Sequence, residues 1–382
     1  MRIFMTIHHE LDLDSGAPGV TLRLAAAYGD AGHDVALCSF DDLPASMSVV
    51  QKSLMFPHLV ARRASKLASR GVVDVIDASS GDAWAYATVA KRPGRPLLVT
   101  RSHGLEHTVH DRALARASSG GDRLSWKYPV YHGGYRLWEV ARSLRVADVS
   151  LFLNEHDRQT AISRLRVRSK SALLVRNGIA DELIDLQVPV PGAEAGHLRI
   201  AVIGAYIDRK GITFAAEALN RVLPNHPTWS VTFLGTGCEP ARVLQDYDVG
   251  LHGRIEVVSH YSNGALPELL ANHQIHLFPT LAEGFGLAVV EAMACGLAPV
   301  VSAVPGPTEI VRDCHDALLV PPGDSTAIVV ALERLASQPA LLERLRKNAH
   351  TTAQGYGWMQ VAAEQLAIYE AHLAGKDRST VR

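Results

Sequence analysis

Short apolar runs alternate with longer amphipathic stretches along the first half of the chain. The first run covers residues 2–7, a glycine-containing segment follows at 14–19, and a helical pattern then extends from Val20 to Ala31. Further apolar runs occupy residues 34–38, 72–77, 96–100 and 149–153. Apolar runs of this length, separated by helical patterns, predict parallel strands that are covered by helices on both faces.

The same alternation begins again in the second half of the chain. New apolar runs lie at residues 198–204, 229–235, 255–258, 275–278 and 298–301. Residues 187–196, which contain two prolines and two glycines, are typical of a joint between domains. We therefore predict an α/β protein with two Rossmann-like domains, residues 1–177 and 178–356. Open parallel sheets bind ligands at the carboxyl ends of their strands, so we expect two facing sheets with a ligand cleft between them.

Length and composition agree with two packed domains. The chain has 382 residues, of which 47% are apolar and 20% are charged, a composition that excludes disorder. Its four cysteines are scattered without CxxC spacing, which argues against a disulfide framework or a zinc ribbon and favours a reducing cytosol. The first apolar run is too short for a signal-peptide core, and no apolar stretch approaches the ~18 residues of a membrane span. We therefore predict a cytoplasmic location.

The segment from Phe278 to Gly296 is the most informative part of the sequence. It consists of a strand, a loop with Gly284 and Gly286, and an apolar helix from about Leu287. The two glycines allow close approach of a ligand to the backbone, and the amino end of the helix suits a diphosphate. Glu291 lies one turn into that helix, where its carboxylate can accept hydrogen bonds from both hydroxyls of a ribose. Glu283, in the loop, can bind sugar hydroxyls. Two surface glutamates around a glycine turn are the alternative interpretation, which the surrounding strand and helix disfavour.

The segment resembles the E-x7-E signature of the retaining glycosyltransferase family 4, which has the GT-B fold. Residues 202–211 resemble the Gly…Lys-Gly loop of that family, residues 101–107 its histidine loop, and residues 14–17 its first glycine-rich loop. Residues 175–179 resemble the start of its second domain. The end of the chain resembles its closing helix, so we expect a helix at about 357–375 to pack back on the first domain.

The resemblance implies a role for each matched residue. Residues predicted to contact the nucleotide or its phosphates are Gly16, Arg209, Lys210, Tyr261, Gly284, Phe285, Gly286, Leu287 and Glu291. Residues predicted to act at the reacting sugar are His103, Glu283 and Lys210. The sequence departs from the family pattern at Ala205, where an arginine is common, and at Ser15, which replaces one of two adjacent glycines. Arg209 is the candidate replacement for the missing arginine.

The implied reaction is the transfer of a hexose from a nucleoside-diphosphate sugar, UDP or GDP, to a hydroxyl acceptor with retention of configuration. Fixed positive charge and helix N–H groups can stabilise the departing diphosphate, so neither a cofactor nor a metal ion is expected. A metal site at His103, Glu106, His107 and His110 is a weaker interpretation of the same histidine loop. A nucleotide-sugar epimerase and a catalytically silent nucleotide-sugar-binding or partner protein remain alternatives.

The two halves differ in charge. Residues 1–177 carry 24 Lys and Arg against 17 Asp and Glu, and the remainder carries 14 against 22. Two basic segments of the first domain, one from Lys52 to Arg70 and one from Arg112 to Arg145 with interspersed aromatics, suit an anionic or lipid-linked acceptor and leave peripheral contact with the inner face of the membrane open. Solvated helix faces with aromatics packed inward explain them equally well. The near-neutral total charge disfavours nucleic acid as a partner.

Overall fold

The computed structural model describes residues 1–90, 94–118, 125, 128–187 and 197–380, without the side chains of residues 116 and 377–380. The chain forms two compact units. Unit 1 comprises Met1–Gly178 and Trp358–Arg382, and unit 2 comprises Ile179–Gly357. These bounds differ by one residue from the boundaries predicted for the two domains. Most of the predicted joint, residues 188–196, lies outside the described residues.

The described residues contain twelve strands in two parallel sheets. The strands are β1 (Arg2–Thr6), β2 (Asp34–Cys38), β3 (Val75–Ser79), β4 (Leu97–Arg101), β5 (Val149–Phe152), β6 (Ala172–Leu174), β7 (Arg199–Ile203), β8 (Ser230–Leu234), β9 (Ile255–Val258), β10 (Ile275–Phe278), β11 (Ala298–Ser302) and β12 (Leu318–Val320). The first six form the sheet of unit 1, and the last six form the sheet of unit 2.

Helices connect these strands and cover the sheets. They are α1 (Gly16–Asp30), α2 (Val49–Ser69), α3 (Trp84–Val89), α4 (Glu106–Ser118), α5 (Leu137–Val146), α6 (Glu155–Ser163), α7 (Ile212–Val222), α8 (Pro240–Leu244), α9 (Leu266–Leu270), α10 (Leu287–Ala294), α11 (Pro307–Ile310), α12 (Ser325–Ser337), α13 (Pro339–Ala353) and α14 (Trp358–Thr380). A π-helical turn, Tyr131–Arg136, leads directly into α5. None of the helices in the described part of the chain combines the length and the apolar character that a membrane span requires.

The strand order places one switch point in each sheet. The order in unit 1 is β2-β1-β3-β4-β5-β6, so the direction of strand addition reverses between β1 and β3. The order in unit 2 is β12-β11-β10-β7-β8-β9, with the reversal between β7 and β10. Connections leave such a point in opposite directions and open a crevice beyond the carboxyl ends of the two strands, which is where doubly wound sheets bind ligands. The loops after β1, β3, β7 and β10 are therefore the expected positions of ligand-binding residues.

The sequence-based prediction of the elements was wrong in four places. The segment 14–19 was predicted to be a loop, but α1 begins at Gly16, four residues before the apolar pattern becomes regular at Val20. The strand predicted at residues 72–77 is shifted and runs from Val75 to Ser79. The strands β6 and β12 were missed because each has only three residues and gives no measurable periodicity.

Helix α14 is fixed to unit 1 by a buried polar network. The guanidinium group of Arg101 donates to Asp77 at 2.6 Å and to the hydroxyl of Tyr369 at 2.9 Å. Tyr369 in turn donates to Asp77 at 2.6 Å, and the hydroxyl of Tyr28 on α1 donates to Tyr369 at 3.2 Å. Arg101 and Asp77 are almost completely buried, with side-chain exposures of 3% and 1%. The end of the chain thus completes the core of unit 1.

Candidate functional site

The loops at the switch point of unit 2 bring together three of the predicted residues. The ammonium group of Lys210, in the loop after β7, lies 2.5 Å from a carboxylate oxygen of Glu283, in the loop after β10. The guanidinium group of Arg209 lies 4.0 Å from the same oxygen and donates to the carbonyl oxygen of Ala282 at 3.1 Å. The side chains of Lys210 and Glu283 are about one-fifth exposed, so solvent and ligands can reach the pair.

Backbone contacts hold these two loops together. The amide of Leu281 donates to the carbonyl oxygen of Arg209 at 2.9 Å, and the hydroxyl of Thr280 donates to the same oxygen at 3.2 Å. Gly211 has a φ of 73°, and a Cβ at this position would lie 1.9 Å from the carbonyl oxygen of Pro279. No other residue type fits this approach, which explains why glycine follows Lys210.

The amino end of α10 is built as the sequence predicted. Gly286 adopts a φ of 109° and precedes Leu287, the first residue of the helix. Gly306 is packed against this loop, since a Cβ there would lie 2.8 Å from the carbonyl oxygen of Gly284. The side chain of Phe285 is buried with its ring centroid 6.1 Å from that of Tyr356. The role predicted for Phe285 at the phosphates stays a prediction, and the burial of its side chain restricts that role to its backbone.

The remaining predicted residues of unit 2 are Glu291, on helix α10, and Tyr261, in the loop after β9. Glu291 lies one turn into α10 and is half-buried. Tyr261 follows β9 and lies against Gly235, where a Cβ would meet the tyrosine ring at 3.0 Å. Ala205 is exposed beside Gly204, where an added Cβ would lie 3.6 Å from Cε of Lys210. The replacement of the missing arginine by Arg209 stays a prediction.

Unit 1 has a polar cluster at its own switch point, which the sequence analysis did not find. Asp82, after β3, accepts a hydrogen bond from Thr6 at 2.7 Å and lies 3.1 Å from Nδ1 of His8, after β1. The guanidinium group of Arg136 donates to Nε2 of His8 at 2.8 Å, so the proton of that imidazole is on Nδ1, facing Asp82. Only the strand order brings these distant positions together, which is why sequence spacing gave no signal.

Arg136 is neutralised within this cluster. It lies 2.8 Å from Glu106 and 2.5 Å from Glu139, and the side chain of Glu139 is 1% exposed. Lys52, the first residue of the other basic segment, is also buried and lies 2.7 Å from Glu10. Both cations were counted as part of basic surfaces, and neither is available to a membrane. Contact with a membrane stays a prediction, and Trp126 of the aromatic segment lies outside the described residues.

His103 lies where the sequence placed it, two residues after β4. Burial, followed by the charge of Arg101, lowers the pKa of its imidazole to about 3, so His103 is neutral at physiological pH. Its Nε2 is buried and has no hydrogen-bond partner within the described residues. Because this nitrogen is buried, the predicted contact of His103 with the donor sugar stays a prediction. The alternative metal site is not formed, because no group of three or more potential metal ligands gathers among the described residues.

The structure shows which glycine of the first glycine-rich segment is sterically required. A Cβ at Gly16 would meet nothing within 4 Å, whereas a Cβ at Gly19 would lie 2.5 Å from the carbonyl oxygen of Leu13. Gly16 is exposed at the start of α1, where a ligand can approach the backbone. Gly19 is therefore the structural glycine of this segment, and the role of Gly16 at a ligand stays a prediction.

The carboxyl group of Asp82 makes the stability of unit 1 depend on pH. Burial raises its pKa to about 7, so the folded protein holds a proton that the unfolded chain releases above about pH 4. This contribution is complete at low pH and is lost as the pH rises through 7. Through Asp82, the free energy of unfolding of wild type should fall by about 2–3 kcal/mol between pH 5 and pH 7. We expect Asp82→Asn to lack this decrease, and urea unfolding at both pH values measures it.

Glu155→Gln is the matched control for this measurement. Hydrogen bonds from Arg158 lower the pKa of Glu155 to about 2, so its contribution is lost only in acid. The control should keep the wild-type dependence between pH 5 and pH 7. Identical pH profiles of wild type and Asp82→Asn would contradict the buried titration.

Comparisons with known sequences show similarity within unit 2 and over most of the chain. Residues 187–352 match the family model described as glycosyl transferases group 1. The chain is 26% identical over 326 residues to an MMP α-(1→4)-mannosyltransferase of Mycolicibacterium hassiacum, a match that covers 83% of this chain and 76% of the relative.

Comparisons with solved structures show a similar fold over both units. Sucrose-phosphate synthase from Thermosynechococcus elongatus has a TM-score of 0.75 at 20% identity, and the match covers 98% of this chain and 99% of that one. HepE from Anabaena, solved in complex with UDP-glucose, has a TM-score of 0.67 at 18% identity and covers 96% and 99% of the two chains. Similarity at this level of identity establishes a common fold.

Proposed function

We propose that the protein, which is a glycosyltransferase with the GT-B fold, transfers a hexosyl group from a nucleoside-diphosphate sugar to a hydroxyl acceptor with retention of configuration. The observation that supports this most directly is the arrangement at the switch point of unit 2. Two cations, a carboxylate and the amino end of α10 converge there on one crevice. Cations and helix N–H groups are complementary to a diphosphate, and a carboxylate is complementary to sugar hydroxyls.

Each group of the crevice has a role in the reaction. The bond between C1 of the sugar and the diphosphate oxygen breaks, and negative charge develops on the departing phosphate. Lys210, Arg209 and the amino end of α10 stabilise that charge without a metal ion. Glu283 holds sugar hydroxyls, and Glu291 accepts the ribose hydroxyls. In the retaining mechanism that we propose, the acceptor oxygen bonds to C1 on the same face while its proton passes to the leaving phosphate.

We propose that the acceptor binds unit 1, which has a polar cluster at the carboxyl ends of its strands. Trp138 is 50% exposed beside Tyr135, with ring centroids 6.0 Å apart. Exposed aromatic rings next to hydrogen-bonding side chains are suited to sugars and other polyols. We therefore propose a glycan, a lipid-linked sugar or a small polyol as the acceptor.

A thermal-shift panel tests the donor assignment. A nucleotide sugar that binds only the folded state stabilises it by RT ln(1 + [L]/Kd), about 2.7 kcal/mol at a hundredfold excess over Kd. We expect UDP- or GDP-sugars to raise the melting temperature in the presence of EDTA, and ADP- and dTDP-sugars to do so less. No shift with any nucleotide sugar would contradict the proposal.

Glu291→Ala tests the assignment of the ribose. Because the carboxylate is expected to accept both ribose hydroxyls, its loss should weaken nucleotide binding by about 1–3 kcal/mol, the value of a charge-assisted hydrogen-bonded pair. Calorimetric titration with UDP and GDP measures the change, and Glu343→Ala on the exposed face of α13 is the matched control. An affinity equal to that of wild type would remove Glu291 from the site.

A further inference from the structure

The ion pair between Lys210 and Glu283 joins the two groups that the proposed function assigns to opposite ends of the donor. Lys210 is assigned to the diphosphate and Glu283 to the sugar, yet they lie 2.5 Å apart. The amide of Gly284 also donates to Glu283, at 3.3 Å, which directs the carboxylate into the crevice. A donor must therefore separate this pair, or insert between its members, in order to bind.

The charges in the crevice make the separation of Lys210 from Glu283 unfavourable. Arg209 and Lys210 contribute two positive charges, and Glu283 contributes one negative charge within 4.0 Å of both. A diphosphate that draws Lys210 away leaves Glu283 partly buried, at 17% exposure, and facing an anion. Like charges placed together in a partly desolvated site repel strongly. A nucleoside diphosphate alone provides nothing to offset this repulsion.

An intact nucleotide sugar compensates both members of the pair. Its diphosphate replaces Glu283 as the partner of Lys210, and a hydroxyl of its sugar can donate to the carboxylate of Glu283. Both charged groups then retain a hydrogen-bond partner, and the partly buried carboxylate is satisfied. The product nucleoside diphosphate lacks this hydroxyl because the sugar has been transferred.

We propose that Glu283 discriminates between the intact nucleotide sugar and the product nucleoside diphosphate. Glu283 holds Lys210 in an ion pair, and only a diphosphate that carries a sugar gives both Lys210 and Glu283 a new partner. This inference rests on the proposed function and adds a role in product release. After transfer, the carboxylate recovers Lys210 and lowers the affinity for the nucleoside diphosphate. The site thereby favours exchange of product for fresh donor.

Glu283→Gln tests the inference because it removes the charge and nearly preserves the shape. We expect the affinity for UDP to rise about tenfold, as the repulsion is lost, while the affinity for UDP-glucose changes much less. The ratio of the dissociation constants for UDP and UDP-glucose therefore falls about tenfold. Isothermal titration of both ligands to the full chain gives the ratio, and GDP with GDP-mannose serves if wild type prefers guanine.

Two variants separate charge from structural disturbance. Glu283→Asp keeps the charge and should keep a ratio near that of wild type, and Glu343→Gln removes an exposed charge of α13 and should leave the ratio unchanged. A ratio in Glu283→Gln equal to that of wild type would overturn the inference and leave the donor assignment intact. If wild type binds none of the four nucleotides, the proposed function fails and the inference fails with it.

Discussion

Lys210→Ala is expected to lower the turnover number about 10²–10³-fold, the loss found when one preorganised donor to a developing oxyanion is removed. The structure supports so large an effect because Lys210 is held at the switch point by its pair with Glu283 and lies 5.1 Å from the ring centroid of Phe278. A contact that strengthens as the leaving group departs acts on turnover more than on substrate binding. Initial rates of nucleotide release at saturating donor measure the effect.

Lys347→Ala is the matched control for this variant. Lys347 is an exposed lysine on α13 in the same unit, and its removal changes the net charge equally. Turnover should be unaffected, and both variants should unfold at nearly the wild-type temperature. If Lys210→Ala retained wild-type turnover, the leaving group would not be stabilised at this position.

Asp77→Ala is expected to give the largest loss of stability, about 3–5 kcal/mol for unit 1, because it leaves the buried guanidinium group of Arg101 without its counter-ion. Burial would otherwise disfavour the charged form of Arg101, and the Asp77 carboxylate is the group that offsets this. The loss also removes a partner of Tyr369 and so weakens the attachment of α14. Urea unfolding followed by circular dichroism measures the change.

Glu364→Ala, on helix α14, is the comparison for Asp77→Ala. Glu364 forms an ion pair with Arg176, and both side chains are more than one-third exposed. An exposed pair contributes about 0–1 kcal/mol, so this variant should unfold close to wild type. Equal losses in the two variants would mean that the buried network does not hold α14.

The elements of the fold were predictable where the sequence has a strong local signal. Apolar runs alone predicted the strands at 255–258 and 275–278. The loop with Gly284 and Gly286, followed by an apolar stretch, predicted the start of α10 at Leu287. The start of α1 was missed because Gly16 and Pro18 are read as loop residues, although proline is tolerated in the first turn of a helix. Local propensity cannot decide between a loop and a helix end of this composition.

The sequence predicted individual residues of the candidate site, but not how the loops of each unit bring them together. Glu283 and Glu291 are close in sequence, so the strand, loop and helix between them define their positions. The pairing of Lys210 with Glu283 joins positions 73 residues apart and depends on β7 and β10 being neighbours. The cluster of His8, Asp82 and Arg136 has the same origin in unit 1 and escaped the sequence analysis completely. Strand order, which short apolar runs do not encode, decides both.

We propose above all that unit 2 binds a nucleotide sugar and that the protein breaks the bond between the sugar and the diphosphate. The most direct measurement is the release of nucleoside diphosphate from UDP-glucose and GDP-mannose in the presence of EDTA, with and without a pool of hydroxyl acceptors. We predict release above the blank by wild type, stimulation by an acceptor, and almost none by Lys210→Ala. A melting temperature raised by the donor without any release would identify a silent binding protein, a donor converted to its epimer would identify an epimerase, and either result would contradict the account.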